Sequence, residues 1–239
     1  MSRKAGSLFG LFLVGILALA GTATAAVIIG DLDKDVITGT PEADSIQGLG
    51  GNDTITSLSG ADVISGGDGD DRISAGADND VVHGNQGNDT MAGGAGHDLM
   101  LGDNGDDVVA GGVQGDRVFG QSGNDTVRGN AGDDHVRGNS GNDTLHGGPD
   151  TDVLNGDSGA DVVFGGPGND RITASSREDL ALPGADGILA GRGNDVIGVR
   201  DGEADSVLCG PGRDLVYADM KDHVRPNCET AKRRHPKLG

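Results

Sequence analysis

An aspartate recurs every ninth residue from Asp35 to Asp170, sixteen times without a break in spacing. The series runs Asp35, Asp44, Asp53, Asp62, Asp71, Asp80, Asp89, Asp98, Asp107, Asp116, Asp125, Asp134, Asp143, Asp152, Asp161 and Asp170. Carboxylates at a fixed short interval, set among glycines that free backbone carbonyls to turn inward, offer a hard oxygen donor set of the kind calcium takes. Magnesium, with its tighter octahedral demand and retained waters, suits carbonyl-rich loops less well. No soft ligand is required.

The elements that must position these carboxylates follow from the rest of the unit. Aligned on Gly30, each nine-residue copy through Thr173 has its Asp in sixth place and an apolar residue in eighth place, from Ile37 and Ile46 to Val163 and Ile172. Glycine fills the first place in fourteen copies and the fourth in eleven. Six turn-forming residues followed by three strand-like ones are too few to bury a core alone, so copies must stack. Glycine at places one and four permits positive φ and close backbone approach in a tight loop. Side chains alternate across a strand, so the eighth residue faces inward and its two neighbours outward.

Three copies, GGDGDDRIS (66–74), GGAGHDLML (93–101) and GGPGNDRIT (165–173), match Gly-Gly-x-Gly-x-Asp-x-apolar-x throughout. The chain therefore resembles the haemolysin-type calcium-binding (RTX) repeat proteins of bacteria, over about 60 per cent of its length. The resemblance implies an all-β fold, a right-handed parallel β-roll (a β-helix solenoid) in which two units make one coil and calcium sits between neighbouring loops on each side. Sixteen units then give eight coils, about 38 Å long at the usual strand spacing, and about fourteen calcium ions at most. The metal ligands it implies are the sixteen Asp residues named above.

The two sides are not equivalent in sequence. Copies beginning at Gly48, Gly66, Gly84, Gly102, Gly120, Gly138 and Gly156 all keep glycine in fourth place, whereas the alternate copies read Glu42, Gly60, Asp78, Gly96, Gln114, Gly132, Asp150 and Gly168. The expectation is one continuous row of good sites on Asp53, Asp71, Asp89, Asp107, Asp125, Asp143 and Asp161, and an opposite row, Asp44 to Asp170, partly filled.

The formal charge of the chain is -20, and the acid lies in the array. Residues 30–173 hold 27 acidic and 6 basic residues, against 11 and 10 in residues 174–239. Without counter-ions, stacked carboxylate rows repel one another across a thin core. The expected metal-free state is unfolded or loosely collapsed, with calcium binding coupled to folding. Aromatic residues make up 2% of the chain, so no large globular core is available. Such acidity excludes nucleic acid as a partner of the array.

Residues 1–25 read as a secretory signal peptide: Arg3 and Lys4, an apolar stretch from Leu8 to Ala20, then Ala23-Thr24-Ala25 as the cleavage site. An uncleaved anchor is the alternative; after cleavage no membrane span is expected. The protein is then secreted, extracellular or associated with the cell surface, where calcium is abundant. Cys209 and Cys228 suit an oxidising compartment as a disulfide, the alternative being two buried thiols.

The remaining segments are a lead-in at 26–29, a degenerate continuation of the roll at 174–217 and a C-terminal cap with a basic tail at 218–239. In the continuation, ASSREDL (174–180) interrupts the spacing, which resumes through Asp186 and Asp195 and, after one inserted residue, through Asp205 and Asp214, with poorer metal sites. A cap covers an otherwise open strand edge. The tail, Lys232, Arg233, Arg234, His235 and Lys237, is either a solvated terminus or a contact to acidic wall polymers.

These features bear unequally on the candidate functions. A calcium-binding structural or surface-interaction module has direct residue support. An enzyme lacks any His-Glu-x-x-His or Gly-x-Ser-x-Gly motif, so no catalytic residue is expected. Adhesion to a cell-surface polymer or protein partner draws on an apolar outer face expected from Val63, Val81, Leu99, Leu101 and Phe119. Ice binding is disfavoured because Arg72, Val108 and Val162 interrupt the row of Thr54, Thr90, Thr126 and Thr144.

Overall fold

Each nine-residue unit builds half a coil, and the two halves of every coil belong to different sheets. The computed structural model describes residues 24–175, 184–228 and 230–233. It contains a 12-stranded and an 11-stranded sheet, in which every strand pairs in parallel with the strand one full coil away. The fold is an all-β parallel β-solenoid, with no helix among the described residues. Accordingly, none of them forms a helix long and apolar enough to cross a membrane. Residues 1–23 of the expected signal peptide at 1–25, and the tail residues Arg234, His235 and Lys237, lie outside the described residues.

Pairing places like residues on like. In one sheet Ile46, Ile64, Val82, Met100, Val118, Val136, Leu154 and Ile172 stack in line. In the other, Ile37, Ile55, Ile73, Met91, Val109, Val127, Leu145 and Val163 do the same. All are buried. Burying one such side chain contributes about 1.5–3 kcal/mol, and each nine-residue unit supplies only one or two inward residues. The inward alternation extends one step beyond the eighth place: the first residue of the next unit is also buried where it carries a side chain, as at Ser57, Ala75 and Ala174.

Glycine dominates that first place for lack of room. At Gly102 an added Cβ would lie 2.4 Å from Asp107 Oδ2 and 2.6 Å from the Gly120 carbonyl oxygen of the next coil. The fourth place is different, since Gly105 has φ +135° and its Cβ would lie 1.9 Å from the Gly87 carbonyl oxygen. The second place, glycine in the three complete copies, also takes positive φ and accepts Asn85, Gln121, Asn130 and Asn139 there. Asn and Asp tolerate the left-handed region better than most residues, which is how Asp78 and Asp150 occupy the fourth place at φ 76° and 85°.

The solenoid continues past the repeats. Strands Gly187–Arg192, Val196–Val199, Ser206–Leu208 and Leu215–Ala218 add two coils from the four degenerate units, and His223–Val224 and Thr230–Arg233 add a last pair. Cys209 and Cys228 form a disulfide with their Cα atoms 5.3 Å apart. It ties the turn after Ser206–Leu208 to the segment between His223–Val224 and Thr230–Arg233, where Val224 and Cys228 pack against the core.

Candidate metal-binding rows

The sixth-place aspartates close every loop and fall into two rows, one on each side of the solenoid. Asp35, Asp53, Asp71, Asp89, Asp107, Asp125, Asp143 and Asp161 form one, and Asp44, Asp62, Asp80, Asp98, Asp116, Asp134, Asp152 and Asp170 the other. All sixteen are buried, none more than 7% exposed. The structure therefore brings every carboxylate singled out in the sequence into one of two continuous stacks.

Within a row each carboxylate reaches back one coil. Asp89 N–H donates to Asp107 Oδ1 at 2.7 Å and Asp107 N–H to Asp125 Oδ1 at 2.8 Å. On the other side Asp98 N–H donates to Asp116 Oδ1 at 2.8 Å. One oxygen per carboxylate is thus spent on the ladder. The other, Oδ2, is buried without a hydrogen-bond donor at Asp53, Asp71, Asp89, Asp107, Asp125 and Asp143, and at Asp62, Asp80, Asp98, Asp116, Asp134, Asp152 and Asp170. Buried polar atoms in native proteins are nearly always partnered, so a row of orphaned carboxylate oxygens marks a place for a cation. An oxygen-only donor set of this kind fits calcium.

Electrostatics agree with the geometry. Burial raises the carboxyls of Asp80, Asp89, Asp116, Asp125, Asp143 and Asp152 to about 7. It raises those of Asp71, Asp107, Asp134 and Asp170 to about 6. Removal from water is the largest cause, the donated N–H pulls the other way, and neighbouring acids add to the rise. Carboxyls held this way need either a proton or a cation.

The two rows differ at the fifth place. On the side of Asp53 to Asp161 a second ladder runs beside the first: Asp70 N–H donates to Asn52 Oδ1, Asn88 N–H to Asp70, Asp106 N–H to Asn88, Asn124 N–H to Asp106 and Asn142 N–H to Asn124, at 2.7–3.1 Å. The opposite side has such bonds only in places, as from His97 N–H to Asn79 and Thr151 N–H to Asp133. Reading the fifth place at an interval of eighteen residues shows the signal: Asn52, Asp70, Asn88, Asp106, Asn124 and Asn142 against Ala43, Ala61, Asn79, His97, Gly115 and Asp133.

The outer faces follow the expected order. Val81 pairs with Leu99 and Leu101 with Phe119 on one sheet, and Val63 beside Val81 is 53% exposed. Arg72 pairs with Thr54 and Thr90, and Val108 with Thr90 and Thr126, on the other.

A family model described as RTX calcium-binding nonapeptide repeat (4 copies) matches the chain in overlapping stretches from residue 29 to residue 176. A comparison with curated proteins yields no match.

Proposed function

This chain belongs to the RTX calcium-binding nonapeptide repeat family, and we propose that it is an exported, non-catalytic calcium-binding module whose folding is coupled to the ion. The observation that carries the reading is the pair of stacks of buried aspartates, most of them with one carboxylate oxygen in the ladder and the other without a donor. When bound, calcium supplies the positive charge that such rows need. The chain's own residues do the rest: the sixth-place Asp carboxylates, Asp53, Asp71, Asp89, Asp107, Asp125, Asp143 and Asp161 foremost, hold the ions, and the glycine-bearing loops leave room for them.

The leader-like residues 1–25 and the cysteine pair support export to an oxidising, calcium-rich compartment. There the loops load; in a calcium-poor cytoplasm they stay empty and the chain stays unfolded, so export and folding are one event. The biological role is structural or at a surface. A second reading, adhesion to a cell-surface polymer or protein, draws on the side-by-side Val63, Val81, Leu99, Leu101 and Phe119.

The test is far-UV circular dichroism of the chain lacking residues 1–25 during a calcium titration, with magnesium as control. A coil-to-β transition specific to calcium is expected. A full β spectrum in chelator, unchanged by calcium, overturns the coupling of folding to the ion.

A further inference from the structure

Beyond the matched repeats one loop breaks the nine-residue pattern in a way that gathers charge. Between Asp195 and Asp205 the chain has one residue more than a unit, and the inward first place, glycine in most repeats, is the buried Val199. In the repeats a first-place glycine leaves the space into which the loop's own Asp Oδ2 projects; here that place carries a buried side chain, while Asp205 Oδ1 still accepts the Asp186 N–H at 2.9 Å. The extra residue brings Asp201 over. Ligand oxygens of Asp186, Asp201 and Asp205 lie within 4.8 Å of one another, the one such group among the described residues.

Asp186 and Asp205 are 2% and 0% exposed, and Oδ2 of all three residues is buried without a hydrogen-bond donor. Other acids early in their loops are engaged instead: Asp103 with His83 and Asn85, Asp157 with Arg137 and Asn155. Asp201 uses Oδ1 to cap its own turn, accepting the Glu203 N–H at 2.8 Å, and keeps Oδ2 for the cluster. Two buried carboxylates and one half-buried one, each with a buried Oδ2 lacking a donor, repel one another at this spacing unless a cation sits among them.

We propose that Asp186, Asp201 and Asp205 form a calcium site distinct in kind from the repeat sites, because one of its three carboxylates comes from outside the nonapeptide pattern. It rests on the calcium reading for the identity of the ion, and on residues beyond the matched repeats for its ligands. The all-oxygen, carboxylate-rich donor set selects a hard ion of calcium's size. Its position, between the interrupted stretch after Thr173 and the disulfide at Cys209, makes it a clasp for the end of the solenoid.

The chain has one tyrosine and no tryptophan, and that tyrosine packs against the residue before Asp201. Tyr217 stacks under Arg200, whose guanidinium carbon is 4.9 Å from the ring centroid. Terbium, a luminescent stand-in for calcium, should therefore show tyrosine-excited emission with a component of one ion per chain, reversed by calcium but not by equal magnesium. Asp201→Asn, which keeps the turn-capping oxygen, should weaken that titration at least tenfold, and Asp68→Asn, in an exposed repeat loop, should leave it unchanged. If Asp201→Asn does not fold, Asp201→Ser, which also keeps an oxygen for the Glu203 N–H, is read the same way.

An identical terbium titration in Asp201→Asn, or emission that calcium does not reverse, overturns the site. Circular dichroism on the same samples separates the two readings. A calcium-induced β transition without tyrosine-excited emission defeats this site alone, whereas loss of both in the unaltered chain defeats the calcium reading as well.

Discussion

The two oxygens of Asp107 have separate duties. Oδ1 satisfies the buried Asp89 N–H, and Oδ2 faces no donor. Asp107→Asn keeps an acceptor for that N–H but removes the charge, so the calcium concentration at the midpoint of folding should rise several-fold. Asp107→Ala strands the N–H as well and should cost about 1–3 kcal/mol more than the Asn variant in saturating calcium. Chemical denaturation in saturating calcium distinguishes the pair, and equal losses for the two variants there would remove the ladder from the account. Glycine is equally specific: Gly105→Ala puts a Cβ 1.9 Å from a backbone oxygen at φ +135°, a strain of about 1–3 kcal/mol or more. The sixth-place aspartates were legible in the sequence because their interval never varies. The second place was less so, because left-handed φ is met there by Asn and Gln as well as Gly, which leaves no single-letter signature.

At the scale of the loop and strand, two rows built from the same unit are unequal in their surroundings. From Asp53 onward the row through Asp89, Asp107 and Asp125 has a glycine in every fourth place and the continuous fifth-place ladder beside it. The row through Asp80, Asp98 and Asp116 includes Asp78 and Gln114 in left-handed fourth places and an interrupted fifth-place ladder. Preorganised loops lose less on ordering around an ion. Replacing Asp89, Asp107 and Asp125 together by Asn should therefore raise the calcium midpoint more than the same change at Asp80, Asp98 and Asp116. Equal shifts in the titration would mean that the loop backbone does not grade the sites. Strand pairing was the easiest level to read ahead of the structure, since an unbroken period of eighteen residues per coil sets Val82 opposite Met100 and Val127 opposite Leu145. The clustering of Asp201 with Asp186 and Asp205 was not legible, because it depends on how one inserted residue is absorbed within a loop.

Over the whole molecule the aspartate ladder outlasts the repeat. Asp161 N–H donates to Asp186 and Asp170 N–H to Asp195 across 25 residues, then Asp186 N–H to Asp205 across 19, so both rows cross the interruption after Thr173 intact. Their summed acidity dictates how the solenoid answers to pH. Folded, metal-free carboxyls such as Asp89, Asp125 and Asp143 are raised from 3.8 to about 7 by burial. Between those values the folded state binds more protons than the unfolded one, so this contribution favours the fold in acid and is lost as pH rises through about 6 to 7. In chelator the β content seen by circular dichroism should therefore be greater at about pH 5 than at about pH 8. Calcium takes the place of those protons and requires the carboxylates ionised, so in saturating calcium the order should reverse and the apparent affinity should rise with pH. Opposite slopes with and without the ion are the expected result. A chelator β content that climbs with pH would mean that the rows are ionised and stable without either proton or metal, and that the orphaned oxygens are satisfied in some other way.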